Sequence, residues 1–243
     1  MDHAIYTAMG AANAALHRQA VTSHNLANAT TDGFQAQLTA YRAVPVNGPG
    51  QATRILVTES TSGTDSRPGE FYSTGRALDV ALPEHGWLGV EMEDGSRKFT
   101  RNGSLQIDHE GQLRVKGKRL LGEGGTVRVP GQSALTIAAD GTITARHGAI
   151  TTPVGRIDIF EARRGILVRD DDGFFSVNAS DAPGLAPSKA LRLVTGMLES
   201  SNVSPVQSMT AMIATARNFE MNMKLISTVD NNEKRANQLL SIG

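Results

Sequence analysis

Six histidines, a run of aspartates, a glycine cluster and a basic stretch are the places where this chain could do chemistry. His3, His17, His24, His85, His109 and His147 include no pair at the i,i+4 spacing that sets two imidazoles on one helix face, and no Glu separates His17 from His24. Asp170-Asp171-Asp172-Gly173 concentrates carboxylates but lacks the alternating ligands and closing Glu of a calcium loop, so it reads as a solvated turn. Gly122-Glu123-Gly124-Gly125 would cradle a phosphate only if a helix followed; Thr126-Val127-Arg128-Val129 reads as a strand instead. No G-x-S-x-G is present, and nothing in the pattern selects an acid–base pair from the 24 carboxylates. With no cysteine, disulfides, thiolate nucleophiles and Cys-based metal centres are absent. The expectation is therefore no catalytic, cofactor-binding or metal-ligating residue, and no cofactor.

Charge excludes further classes. Lys+Arg 24 against Asp+Glu 24 gives net zero, and Arg114, Lys116, Lys118 and Arg119, alternating with Leu113 and Val115, read as the wet face of a strand. Aromatic residues make up 5%, too few for a base-stacking platform, so no nucleic-acid partner is expected. The opening Met1-Asp2-His3-Ala4-Ile5-Tyr6 lacks a basic n-region, and no window approaches a membrane span; the expectation is a chain with no cleaved signal and no membrane insertion.

The elements that would position functional residues are marked by proline and glycine. All nine prolines lie between Pro45 and Pro205, and of 25 glycines only Gly10 and Gly243 lie outside Gly33–Gly196. Both residues are costly inside helices, so 2–28 and 205–241 read as long terminal helices flanking a turn-rich middle. Ile5, Met9, Ala12, Leu16, Gln19, Ser23 and Leu26 recur at spacings of three and four, as do Met209, Met212, Ala216, Phe219, Met223 and Ile226, followed by Val229, Ala236 and Leu240. Ser204-Pro205 supplies an N-cap hydroxyl and a first-turn proline. At about 1.5 Å per residue the last segment would reach on the order of 55 Å, so part of its stripe must be covered by another element or another chain. Between His3 and Thr31 the only fully charged side chain is Arg18, which suits a helix packed by neighbours on several sides.

The middle reads as β. Leu78/Val80/Leu82, Leu105/Ile107, Leu113/Val115, Val127/Val129, Leu135/Ile137, Val154 with Ile157/Ile159, Phe175/Val177 and Leu191/Leu193 are short apolar alternations. Asp94-Gly95, Asn102-Gly103, Asp140-Gly141 and Asp172-Gly173 offer tight turns between them. The fold class is α+β: N- and C-terminal helices packed as a coiled-coil-like pair, with a central antiparallel β-rich domain. The expected organisation is 1–34 for the first helix and its exit turn, 35–74 for a loop-rich connector with one strand near Ile55–Thr58, 75–196 for the β domain, and 197–243 for the last helix.

Ser23-His24-Asn25-Leu26-Ala27-Asn28-Ala29-Thr30-Thr31-Asp32-Gly33-Phe34 closely resembles the N-terminal signature of bacterial flagellar rod and hook proteins, S-x-N-L-A-N-x-x-T-x-G-F. Leu198-Glu199-Ser200-Ser201-Asn202-Val203, with Met212-Ile213, Arg217, Phe219-Glu220 and Lys224, resembles their C-terminal one. Leu78-Asp79-Val80-Ala81 and Phe99-Thr100-Arg101-Asn102-Gly103 look like the L-D-V-A and Y-T-R-x-G stretches of the same family. Asp32 stands where the family commonly has Pro, Gly86-Trp87-Leu88 where an aromatic pair often follows a Gly, and Phe99 where it has Tyr.

The resemblance implies an axial structural protein of the basal body, most like a proximal-rod subunit, with a distal-rod or hook-type subunit as the alternative. It further implies export through the flagellar type III apparatus and polymerisation in the periplasm with copies of itself and homologous rod subunits. On that reading Ile5, Met9, Leu16 and Leu26 meet the methionine stripe within one subunit, and the uncharged outer faces meet neighbours. Ala12, Met209, Met212, Ala216, Phe219, Met223, Ile226 and Leu240 complete the implied assembly interface. Asn28 and Asn202, beside Val203, sit where helix meets irregular chain, Gly33 gives the sharp exit, and Phe34 is an anchor ring. Two readings from other classes stand beside this one: a periplasmic glycan-active enzyme and an export chaperone or adaptor.

Overall fold

Two uninterrupted helices form where proline and glycine are scarce. In the computed structural model, residues 2–45, 55–131, 133–148, 150–163, 165–177 and 185–240 are described, and for residues 2, 3, 59–62 and 240 the backbone alone. The expected Val46–Gly50 loop and the Leu240 side chain therefore lie outside the described residues. Helix α1 spans Asp2–Ala27 and α2 spans Pro205–Leu240. The Asn28 backbone N–H donates to the carbonyls of His24 and Asn25 and its side-chain amide donates to His24 O at 2.9 Å, which satisfies acceptors left open at the end of α1. At the start of α2 the Ser204 hydroxyl accepts the Gln207 N–H at 3.4 Å, and Pro205 occupies the first turn where its missing donor is harmless.

One compact unit comprises 1–29, 36–65 and 203–243. It contains α1, α2 and an antiparallel hairpin of β1 (Gln37–Pro45) and β2 (Ile55–Thr64). The connector expected over 35–74 thus carries a two-stranded ribbon. The sequence hides β1 because its alternation is weak: pairing with β2 and packing on α1 hold it, more than an apolar face of its own.

The second unit, 30–35 with 66–202, is antiparallel β. Its strands are β3 (Phe71–Ser73), β4 (Val80–Ala81), β5 (Gly86–Glu91), β6 (Arg97–Thr100), β7 (Leu105–Ile107), β8 (Leu113–Val115), β9 (Lys118–Gly122) and β10 (Gly125–Thr126), then β11 (Ala134–Ile137), β12 (Thr142–His147), β13 (Ile150–Arg156), β14 (Ile159–Glu161), β15 (Leu167–Arg169), β16 (Phe175–Val177), β17 (Val194–Thr195) and β18 (Met197–Glu199). The main sheet runs β15-β16-β6-β5-β9-β8-β7, with β14 on β5 and β10 on β9; β11-β12-β13 form a second sheet, and β17-β4 and β18-β3 are two-stranded ribbons. Leu88, Val90, Leu105, Leu113, Val115, Leu120, Ile143, Ile157 and Ile159 fill the core. Beside it Trp87 meets Phe175 edge-on at 4.7 Å between ring centroids, and Phe99 meets Phe160 at 5.2 Å.

The pivotal strand of this unit, β5, is missing from the alternations read in the sequence. Gly86 through Val90 are all buried, so the strand shows a continuous run and no alternation. Its Gly89 lies under the Phe160 ring, where a Cβ would collide. Two expected strands are also corrected. Leu193 is buried and its N–H donates to Ala139 O at 2.7 Å, but Leu191/Leu193 join no strand; Val127 and Val129 are buried just beyond the short β10. Of the four turn dipeptides, Gly95, Gly141 and Gly173 have positive φ, whereas Gly103 does not: it is small because the Val80 carbonyl packs against its Cα.

Candidate functional site

The parts of the four recognisable motifs that lie in the β unit, 30–34, 78–81, 99–103 and 198–202, meet at one crossing. The 78–81 stretch runs beside 102–105: Val80 N–H donates to Gly103 O at 3.0 Å and Leu105 N–H to Leu78 O at 3.1 Å. The C-terminal stretch lies against the same strand, with Val194 opposite Ala81, Thr195 opposite Val80, and Gly196 N–H on Asp79 O. The exit segment closes the crossing. Gly33 N–H donates to Glu199 O at 2.7 Å, Asn202 N–H to Phe34 O at 3.2 Å, and the Asn102 amide to Asp32 O at 3.0 Å.

Each expected junction residue has a physical task here. Gly33, at φ +66°, is backed by the Arg101 carbonyl group so closely that any Cβ would clash. The Phe34 ring is buried, with the Arg169 guanidinium 4.2 Å from its centroid and 5.4 Å from that of Phe175; Arg169 also donates to Gln35 O at 2.7 Å. The Asn202 amide donates to Arg67 O at 2.8 Å, tying the returning chain to the segment before β3. At the rim the Tyr72 hydroxyl donates to Asp32 Oδ1 at 2.8 Å; that bond, with burial and the carboxylate charge, pushes the phenol up to about 12.

At the centre of the crossing is a buried ion pair that the sequence did not single out. The side chains of Arg101 and Glu199 are 1% and 2% exposed, and Arg101 Nε donates to Glu199 Oε2 at 2.9 Å. No local signal marks the pair: Arg101 follows Arg97-Lys98-Phe99-Thr100, where a basic residue is not unusual, and only its contacts show that it is buried.

The other unit presents the helical residues. On α1 the covered positions include Ile5, Ala8, Ala12, Ala15, Gln19, Thr22 and Leu26; on α2 they are Ser208, Met212, Thr215, Phe219, Asn222, Ile226, Val229, Glu233 and Ala236. The two helices pack on each other, and α1 also lies against the hairpin. There the Tyr41 hydroxyl donates to Ala14 O at 3.0 Å, Arg18 stacks 4.8 Å above the Tyr41 ring, and the Asn25 amide exchanges two hydrogen bonds with the backbone of Gln37 at 2.9 and 2.8 Å. Asn25 was also missed; its side chain imitates a strand partner for the first residue of β1.

Of the residues expected at the interface, Ile5, Ala12, Leu26, Met212, Phe219 and Ile226 are covered wholly or partly within the chain. Met9 and Leu16, 47% and 52% exposed, are not, and neither are Met209, Ala216 and Met223. The covered line passes one residue earlier, through alanines on α1 and through Ser208, Thr215 and Asn222 on α2. Polar residues are tolerated there when satisfied locally: Thr215 is buried and its hydroxyl donates to Ala211 O at 2.8 Å. Left outside is a second line at the same spacing: Tyr6, Met9, Leu16 and Ala20 on α1, with the polar Asn13 between them, and Val206, Met209, Ile213, Ala216 and Met223 on α2, with the charged Glu220 between the last two.

Among the described residues no three His, Asp or Glu side chains group as metal ligands, and no helix is long and apolar enough to cross a membrane. Glu123 and Asp158 line an open cavity of about 340 Å³ with Arg156 and Lys189, and Glu91 and Glu93 line another of about 350 Å³ with Arg114, Lys118 and Arg119; burial and Glu123 raise the Asp158 carboxyl.

Comparison with known proteins agrees with this placement. Residues 5–35 match the family described as flagella basal body rod protein, 81–145 match the flagellar hook protein FlgE/F/G D1 domain, and 194–239 match the flagellar basal body rod FlgEFG protein C-terminal family. The chain is 52% identical to the flagellar basal-body rod protein FlgF of Salmonella typhimurium and to that of Escherichia coli, over all of each chain. It belongs to the flagellar basal-body rod protein family. The rod-family chain is also 31% identical to the FlgG rod protein of Agrobacterium fabrum over 86% of its own length and 88% of the relative's. As a rod protein it is a structural subunit of the flagellar basal body and not an enzyme. The matched segments 5–35 and 194–239 carry the exit and return sides of the crossing together with both helices.

Proposed function

We propose that this chain builds the proximal part of the flagellar rod, its terminal helices pairing in coiled-coil fashion within a subunit and joining neighbouring subunits through their outer lines. Its structural role in the basal-body rod follows from family membership; the proximal position is favoured by 52% identity to FlgF relatives against 31% to a FlgG relative. The coiled-coil reading is supported by the alternating three- and four-residue recurrence of covered positions on both helices.

The observation that carries the assembly reading is the exposed apolar line. Met209 and Ile213 are 53% and 57% exposed, continuous with Val206 above them, and Tyr6, Met9 and Leu16 form a matching ridge on α1, interrupted by Asn13. Apolar surface in a repeating row on two helices is what a neighbouring helix would cover, and repetition from subunit to subunit gives heterologous contacts that grow into a filament. The partners are further copies of this chain and homologous rod subunits; the route to the site is the flagellar type III export apparatus.

A charged substitution on this line separates assembly from folding. In Met9→Glu/Ile213→Glu chains the β unit should retain its hydrogen-exchange protection while swimming is lost and the chain disappears from purified basal bodies. Normal incorporation of that variant would overturn the assignment of the outer line.

A further inference from the structure

The F-T-R-N-G motif is left without a task by helix-mediated assembly, and the surroundings of its arginine suggest one. Arg101 Nη1 donates to the carbonyls of Pro83, Glu84 and Gly86 at 3.1, 3.0 and 2.9 Å, and Nη2 reaches Leu82 O and Glu199 Oε2. The Trp87 ring lies 5.7 Å from the guanidinium. On the other side of the pair, Glu199 Oε1 accepts the Gly69 N–H at 3.1 Å and Glu199 O accepts the Gly33 N–H. The ion pair therefore fastens the segment before β3, the loop from Leu82 to Gly86 and β18, while the main-chain carbonyl of Glu199 holds the exit turn beside them.

Backbone carbonyls orient the guanidinium but do not neutralise it. Every strand of the main sheet, from β5 to β16, precedes Glu199 in the chain, and the carboxylate lies 98 residues after Arg101. A growing chain thus completes its sheet strands before the counter-charge exists. Closing the sheet without it would bury an unpaired cation, which is strongly unfavourable.

The geometry points to Arg101 as a folding gate: its charge keeps the β unit open until the C-terminal segment delivers Glu199, so that closure requires the return segment. The gate acts within one chain and is independent of how the helices assemble.

Two full-length variants test it. In Glu199→Met the charge of Arg101 is stranded, and amides of β5 and β14 should exchange on the order of a hundredfold faster than in the unaltered chain. In Arg101→Met/Glu199→Met the cation is gone, and protection of the same strands should return to within about tenfold of the original. Restored folding of the double variant supports the gate even where the single variant fails to accumulate. The idea is overturned if Glu199→Met loosens only Gly33 and Gly69 while β5 and β14 stay protected, or if the double variant is as open as the single one.

Discussion

At the rim of the crossing, Tyr72 and Asp32 share a proton on unequal terms. The phenol donates to the carboxylate at 2.8 Å, and losing that proton would set two negative charges side by side, which is why its ionisation is pushed up to about 12 from 10.0. Because the folded value lies above the unfolded one, this contact contributes its stability in full below about pH 10 and loses it as pH rises toward 12. A spectrophotometric titration of the phenolates should show one late-titrating tyrosine that Asp32→Asn moves toward the ordinary range; an unchanged curve in that variant would refute the pairing. Gly33 and Asn28 could be singled out from type and position, since a positive-φ glycine and a cap amide act through their own or adjoining backbone, whereas Asn202 and Phe34 stood out only as motif residues, their partners Arg67 and Arg169 lying far along the chain. Arg101 and Asn25 could not be assigned: what they bind lies 98 and 12 residues away.

The helices show how closely a stripe can be read and where the reading slips. Periodicity located both helices, yet a line drawn through the largest side chains missed the covered face by one residue on part of each. On α1 the covered face is lined by Ala8, Ala12 and Ala15, which lets the neighbouring elements approach closely, while Met9 and Leu16 stay outside. Size was the wrong guide because burial follows the partner's shape, and the largest side chains remain free for a further partner. Ala12→Leu should therefore overpack that face and cost roughly 1–3 kcal/mol, whereas Met9→Ala should change the stability of the isolated chain by no more than about 0.5 kcal/mol. Urea unfolding followed by circular dichroism at 222 nm distinguishes them, and equal effects would contradict the placement. In the β unit the same limit appears as β5: buried on both faces, it has no alternation to be read.

The two compact units differ in how fully each encloses its apolar surface. The β unit holds Leu88, Val90, Leu105, Leu113 and Leu120 with no exposed area, while the helical unit leaves Val206, Met209, Ile213 and Leu16 open. In dilute solution, amides of α1 and the first half of α2 should exchange at least about tenfold faster than those of β5 and β9, and gain protection on polymerisation. Helices as protected as the β core in a monomer would argue against assembly-dependent ordering. From the sequence by itself came the helical ends, the β middle and the family, because each rests on composition, local periodicity or contiguous motifs. Tertiary structure alone decided which face of each helix is covered, that 37–45 pairs with 55–64, and that Arg101 meets Glu199, because those outcomes depend on contacts between residues far apart in the chain, where shape and charge must match in three dimensions.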